Sequence, residues 1–325
     1  MSFAERAAGS KFGCSHPMRT ISISLTNRAQ AIASLLVFVS AICFAAKAIL
    51  VKMAYRYEID AVSMLALRML FSLPFFLIIA WRANRHGSRS GQTPLRLRDF
   101  WQIAGLGLLG YYFASLFDFM GLRYISAGLE RLILFIYPTL VLILSFLLYQ
   151  KRITPAQGLA LVLTYAGIAA AFAENLLRGA NTNLWLGTAY VFLSALIFAF
   201  YLIGGGNIIQ RFGTWRFTSL AMTAASVAIL AHHGVVQQWR LWHFPAELYG
   251  LIAVMAVFST VLPSFLVAEG LRVIGPGNTA IISSVSPVAT IIMAYFFLGE
   301  QFGWLQWLGT LLVIIGVLFT SLHRK

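Results

Sequence analysis

The sequence predicts an all-α integral membrane protein with ten transmembrane helices arranged as two inverted five-helix repeats. Three observations carry this. First, 60% of residues are apolar and 10% are charged, against about 45–50% and about 25% in soluble domains. An excess of that size exceeds what one water-soluble core can hide, so lipid is the solvent. Second, residues 121–167 recur as 270–316 at a constant offset of 149. Gly121-Leu122-Arg123 returns as Gly270-Leu271-Arg272, Pro138 as Pro287, Gln157 as Gln306 and Gly167 as Gly316. A repeat in such apolar sequence points to two similar membrane halves. Third, each half holds five apolar stretches, an odd number, so the second copy enters the bilayer from the opposite side.

In chain order, residues 1–30 carry Arg6, Lys11, Arg19 and Arg28 against Glu5 and hold no apolar core of signal-peptide length. They read as a disordered cytosolic tail, with Met18 as a second candidate start. The first repeat then occupies 31–174 and the second 183–322. A spanning helix needs about 20 mostly apolar residues. Ten stretches qualify: 31–53, 60–81, 101–120, 126–149, 155–173, 183–203, 217–232, 248–271, 276–298 and 303–322. Runs of that length are helices, since barrel strands would alternate over about ten residues. The first spans also match, with Val37-Phe38, Ser40-Ala41 and Phe44-Ala45 answering Val191-Phe192, Ser194-Ala195 and Phe198-Ala199 at an offset of 154. The first half is therefore longer between these landmarks, most simply in the connection 82–99.

Orientation follows from Lys and Arg in the connections. With the N-terminus inside, the inner segments hold the four tail cations, Arg82, Arg85, Arg89, Arg96, Arg98, Lys151, Arg152, Arg211, Arg216, Arg272, Arg324 and Lys325. The outer segments hold only Lys52, Arg56, Arg123, Arg178 and Arg240. Both termini are expected in the cytoplasm, with a bacterial inner membrane as the setting. The net charge of +14 thus reads as a membrane surface and not as a nucleic-acid footprint. Cys14 and Cys43 form no disulfide framework and no thiolate metal spacing.

The run Ile125-Ser126-Ala127-Gly128-Leu129-Glu130-Arg131-Leu132-Ile133-Leu134-Phe135-Ile136-Tyr137-Pro138 resembles the drug/metabolite transporter superfamily, in particular its EamA-type members with ten helices. The second copy carries that family's usual ending, from Pro287 through Leu298-Gly299-Glu300 to Gly309 and Gly316. The resemblance covers 31–322. It implies a secondary transporter, often an exporter of amino acids or other small metabolites. One departure is visible: Gln150-Lys151 stands in the first copy where the second has Gly299-Glu300.

Ionisable groups inside spans are expensive and mark candidate sites. Lys47 lies about 10 Å deep in the first span, at 1.5 Å per residue, with Tyr201 as its repeat image. It either faces the centre, ready for a carboxylate, or snorkels outward. Arg68, at similar depth, resembles the family's second-helix arginine. It either clamps an anion or pairs with Asp118 or Glu130. With Arg131 these charges all fall in the outer half of the first repeat, a network that either locks an outer gate or works on substrate or proton. Adjacent helical residues point about 100° apart, so Glu130 and Arg131 face different neighbours, and Glu130 is expected inward. A carboxylate there that binds and releases a proton would couple transport to protons. Glu269, alone near the inner end of the eighth span, reads as interfacial.

Pro138 and Pro287 each remove a backbone hydrogen bond at repeat-related places. Such breaks persist in lipid where protein or a wet cavity satisfies the backbone. With Tyr137, Ser283 and Ser286 beside them they mark a binding site and two hinges, or else simple packing kinks. Gly204-Gly205-Gly206 invites a further hinge at Gly204 and Gly205, but lacks the Lys-Ser/Thr of a phosphate loop. Gly105, Gly107 and Gly110 read as close helix contacts, within one bundle or between two copies; monomer and homodimer both stay open. His232-His233 falls in the outer connection without a spaced acid or cysteine, so no metal is expected, and no cofactor motif occurs. An intramembrane enzyme, a lipid flippase or a non-transporting subunit are the alternatives. No zinc-protease His-Glu pattern and no Gly-x-Ser-x-Gly elbow supports the first.

Overall fold

A computed structural model describes residues 18–89, 95–150, 155–177, 183–274, 279, 282–283 and 285–322. The tail residues 1–17, the start of the ninth span at Pro276 and Ser284 lie outside the described residues. Each of the ten apolar stretches carries a helix: α1 Met18–Ala54, α2 Ala61–Arg89, α3 Leu97–Leu122, α4 in two pieces (Ala127–Leu134 and Tyr137–Tyr149), α5 Pro155–Leu177, α6 Leu184–Phe212, α7 Thr214–Gln237, α8 over 246–273, α9 from Ser286 to Leu298, and α10 Trp304–Leu322. Seven of these are long and apolar enough to cross a membrane, and α5, α9 and α10 contribute shorter apolar helices. The chain is an integral membrane protein of two inverted five-helix repeats.

Several helices outrun their apolar stretches. Residues 18–30, read as tail, extend α1, and the basic residues to Arg89 extend α2. Hydropathy marks what lipid embeds, whereas helical hydrogen bonding continues until something caps it. For α7 the cap is Gln238 in the left-handed region at φ 50°, so His232 and His233 are helical and not in a connection.

The packing repeats as the sequence does. Exchanging the halves pairs α1 with α6, α2 with α7, α3 with α8, α4 with α9 and α5 with α10. Under that exchange the observed neighbours map onto themselves: α1 packs on α8 and α9, as α6 packs on α3 and α4, while α2 meets α7 and α5 meets α10. The match extends to atoms. Ser40 Oγ donates to the Pro263 carbonyl at 2.9 Å, and its counterpart Ser194 donates to Ala114, the counterpart of Pro263, at 2.7 Å. Gly270 lies against Val37 as Gly121 lies against Val191. A π turn interrupts α3 at Leu108–Phe113 and α8 at Val257–Val261, the same place in each repeat. Such turns leave the regular ladder just before the carbonyls that the two serines take up.

Pro138 and Pro287 do not kink helix interiors. Each opens the second piece of a broken helix, in its first turn, where a missing N–H is tolerated. In α4 the break is Phe135–Ile136, and Thr139 Oγ1 donates back to the Ile136 carbonyl at 2.7 Å. By contrast α6 runs unbroken through Gly204–Gly206. Gly204 abuts Leu106 and Gly205 abuts Phe217, so here these glycines serve close packing.

Candidate functional site

The buried charges meet where α1, α2, α3 and α4 converge. Lys47 Nζ lies 2.5 Å from Asp118 Oδ2, so Lys47 turns inward and does not snorkel. Arg68 is buried, its guanidinium carbon 4.7 Å from the centroid of the Phe119 ring, with Asp118 close enough to act on its charge. Glu130 is wholly enclosed, at 0% exposure, and its carboxyl stands beside that of Asp118 within reach of Lys47 and Arg131. With both carboxyls ionised, Asp118 Oδ1 and both Glu130 oxygens face no donor, and Arg68 Nε no acceptor. Buried polar atoms in that condition are costly. A proton between the two carboxyls would turn opposed acceptors into a hydrogen bond.

Arg131 points elsewhere, as adjacency on a helix requires. Its Nε and Nη2 donate to Ser286 Oγ at 3.0 and 2.5 Å, and Ser286 donates to the Ala41 carbonyl at 3.1 Å. This chain ties α4 to α9 and α1, so the charged group reaches the seam between the repeats at Arg131. Thr290 adds a second α9-to-α1 bond, to the Ala45 carbonyl at 3.4 Å. Ser283 is half-buried ahead of the α9 break.

Tyr137 and Tyr201 join an aromatic group centred on Phe198, at centroid distances of 5.3 and 5.5 Å. The Tyr201 hydroxyl is 3.0 Å from that of Tyr111, which the π turn of α3 presents. Tyr112, on the same turn, bonds His232 Nδ1 at 2.7 Å. The fully buried His233 bonds Ser63 at 3.1 Å. The sequence placed both histidines in the outer connection and weighed them only as a metal site, so these helix-to-helix bonds were not anticipated. Glu269 is not alone: it pairs with Arg272 one turn on.

The two ends of α3 are tied differently. Near its C-terminal end, Glu300 reaches from the second repeat to the start of α4 and accepts from Ala127 N at 2.9 Å and Gly128 N at 3.4 Å. Burial pushes the Glu300 carboxyl up, and those two amides and the Lys52 ammonium pull it back. Glu174 likewise accepts from Leu305 N at the start of α10, at 3.2 Å. At the other end, Asp99 pairs with Arg211 at 2.9 Å and Asn84 accepts from Arg216 at 2.5 Å. The sequence places Arg131 in the charge network without its Ser286 partner, and marks Glu300 only as a difference between the two copies, because it lies between spans. Among the described residues no group of three or more His, Cys, Asp or Glu side chains could hold a metal ion.

Known proteins share this architecture. The EamA-like transporter family matches twice, at residues 31–173 and 185–322, one copy per repeat. The chain is 30% identical over 290 residues to the uncharacterized transporter YcbK of Bacillus subtilis, covering 87% of this chain and 90% of that one. It is 26% identical to the uncharacterized transporter YyaM of Bacillus subtilis, covering 66% and 71%. It is 23% identical to the uncharacterized inner membrane transporter YicL of Salmonella typhimurium, covering 77% and 82%. In three dimensions it resembles a solved crystal structure with TM-score 0.59 over 90% of this chain and 97% of the other, at 14% identity, a likeness of fold. Matched in both halves and across all ten helices, the chain belongs to the EamA-like transporter family.

Proposed function

We propose that this protein is a proton-coupled secondary transporter that exports a small metabolite, such as an amino acid or related compound, by alternating access between its two repeats. One observation carries the reading. A group of charges, with Arg68, Asp118, Glu130 and Arg131 buried and Lys47 half-buried, reaches the seam between the halves at Arg131 and holds carboxyl and guanidinium atoms that face no partner. A scaffold gains nothing from such a group, whereas a site that takes up and releases a proton or a polar solute requires it. The carboxyls Asp118 and Glu130 are the proton carriers, and Lys47 and Arg68 the cations that meet an anionic part of the solute. Export rests on the family resemblance. The loop charges support cytoplasmic termini, and the inner membrane follows the relative from Salmonella. That orientation puts the charged group toward the outside and the Asp99–Arg211 pair at the cytoplasmic end.

The test is reconstitution in proteoliposomes with an imposed pH gradient and a panel of amino acids and related metabolites. Saturable flux that the gradient drives is the expected result; no flux of any solute in the panel, in protein shown to be folded, overturns the reading.

A further inference from the structure

We propose that Glu300 is a gating residue: its carboxylate, supplied by the second repeat, latches the start of α4 in the first repeat, and this latch opens each time that end of the bundle opens. The opening of α4 leaves no amide idle. Ala127 N and Gly128 N donate to Glu300, Leu129 N donates to the Ser126 hydroxyl at 3.2 Å, and Glu130 N donates to the Ser126 carbonyl at 3.0 Å. The first amides of a helix have no partner of their own, and they favour negative charge. Half of this set is met from the other repeat. Only small side chains fit here, since a methyl group on Gly128 would press on Phe302 and Gln306.

The sequence does not repeat the chemistry of the latch. The left-handed residue that turns the chain toward Glu300 is Gly299 at φ 69°, and its counterpart Gln150 has the same shape at φ 51°. The backbone is shared but the chemistry is not. The counterpart of Glu300 is Lys151, which only donates, and the counterpart of Ala127 is Pro276, which has no amide hydrogen. The far end of α3 is held by another device, the ion pair of Asp99 with Arg211, whose arginine is 45% exposed. One end is thus closed by a half-buried carboxylate on amides and the other by an ion pair of a buried aspartate with a half-exposed arginine. Glu300 also holds in place the helix that carries Glu130 and Arg131, so releasing it moves the charged group.

This builds on the transport reading only in assigning the motion to a cycle; the test itself needs no solute. Hydrogen–deuterium exchange is followed on the full chain in lipid nanodiscs for wild type, Glu300→Ala and Glu300→Gln. In Glu300→Ala, exchange over 126–134 rises about tenfold, the loss of a charge-assisted bond. Exchange over 97–104 falls in the same variant, because opening one end closes the other. Glu300→Gln, which keeps an acceptor, stays near wild type. Unchanged exchange over 126–134 overturns the latch. A rise there with no fall over 97–104 makes Glu300 a helix cap and overturns the gating role, as does a uniform rise along the chain. If no variant moves any solute, the transport reading fails while the exchange pattern still decides the latch.

Discussion

Lys47 and Tyr201 hold the same place in the two repeats and both reach toward α3. Lys47 meets Asp118 at 2.5 Å, and Tyr201 meets Tyr111 at 3.0 Å. One repeat thus answers α3 with an ion pair and the other with a neutral hydroxyl pair. Because both partners lie on α3, that helix carries the charged chemistry near one end and the aromatic chemistry near its middle. The pseudo-symmetry fixes where side chains stand, and the substitutions at symmetric positions decide what each half does.

Lys47→Met leaves Asp118 enclosed without its cation. Removing one partner of a buried pair costs about 3–5 kcal/mol, so this variant unfolds at clearly lower temperature. Adding Asp118→Asn recovers most of the loss, since a neutral pair needs no counter-charge. Both variants reach the membrane and neither transports. Thermal unfolding beside flux measurements checks this; a single variant as stable as wild type, or a double variant that transports, refutes it.

Glu130→Gln keeps the size of the side chain and removes its proton site. Stability is retained, because amide and carboxyl share shape and the enclosed acceptor gains a donor. Solute exchange without a gradient survives at a reduced rate, while uphill movement driven by a pH gradient is lost. Comparing counterflow with gradient-driven flux in the same vesicles separates the two. Gradient-driven flux at the wild-type level removes Glu130 from the coupling step.

How much of this was legible in the residues depends on what fixes each feature. The ten helices and two halves were, because hydropathy and the 149-residue offset record them directly. Lys47, Asp118 and Glu130 were legible as a group, because charge is rare in lipid and topology put them at one depth. Their pairing was not: Lys47, and not Arg68, takes Asp118, since Arg68 settles over Phe119. Side-chain direction within a bundle depends on helix rotation, which spacing leaves undetermined. Helix ends were misread for a related reason, as with His233, since the backbone continues past the apolar window. Gly105, Gly107 and Gly110 looked alike in sequence, yet Gly107 abuts the Ala221 backbone, Gly110 faces the Tyr201 ring, and Gly105 has open space.

Ser40→Ala and Ser194→Ala remove symmetry-related bonds from α1 to α8 and from α6 to α3. Each costs about 0.6–1 kcal/mol, the range for bonds between membrane helices. The two losses agree within about 0.5 kcal/mol and add in the double variant, as distant independent sites do. Unfolding of the three variants measures this. A large difference between the single variants would show that the likeness of the halves is geometric without being energetic.

The crossing of α5 and α10 depends on Gly167 and Gly309, each lying where a methyl group would press on the other's carbonyl oxygen. Gly309→Ala therefore forces the helices apart. Overpacking of this kind costs about 1–3 kcal/mol, because the neighbour is backbone and cannot rotate away. Gly105→Ala is the contrasting case: its added methyl meets nothing within 4 Å, and in a helix alanine is favoured over glycine by about 1 kcal/mol. Unfolding midpoints should fall for the first variant and hold or rise for the second. If α5 and α10 slide during the cycle, Gly309→Ala also slows flux by more than its stability loss explains, whereas a fixed α5–α10 pair leaves the flux of correctly folded protein unchanged.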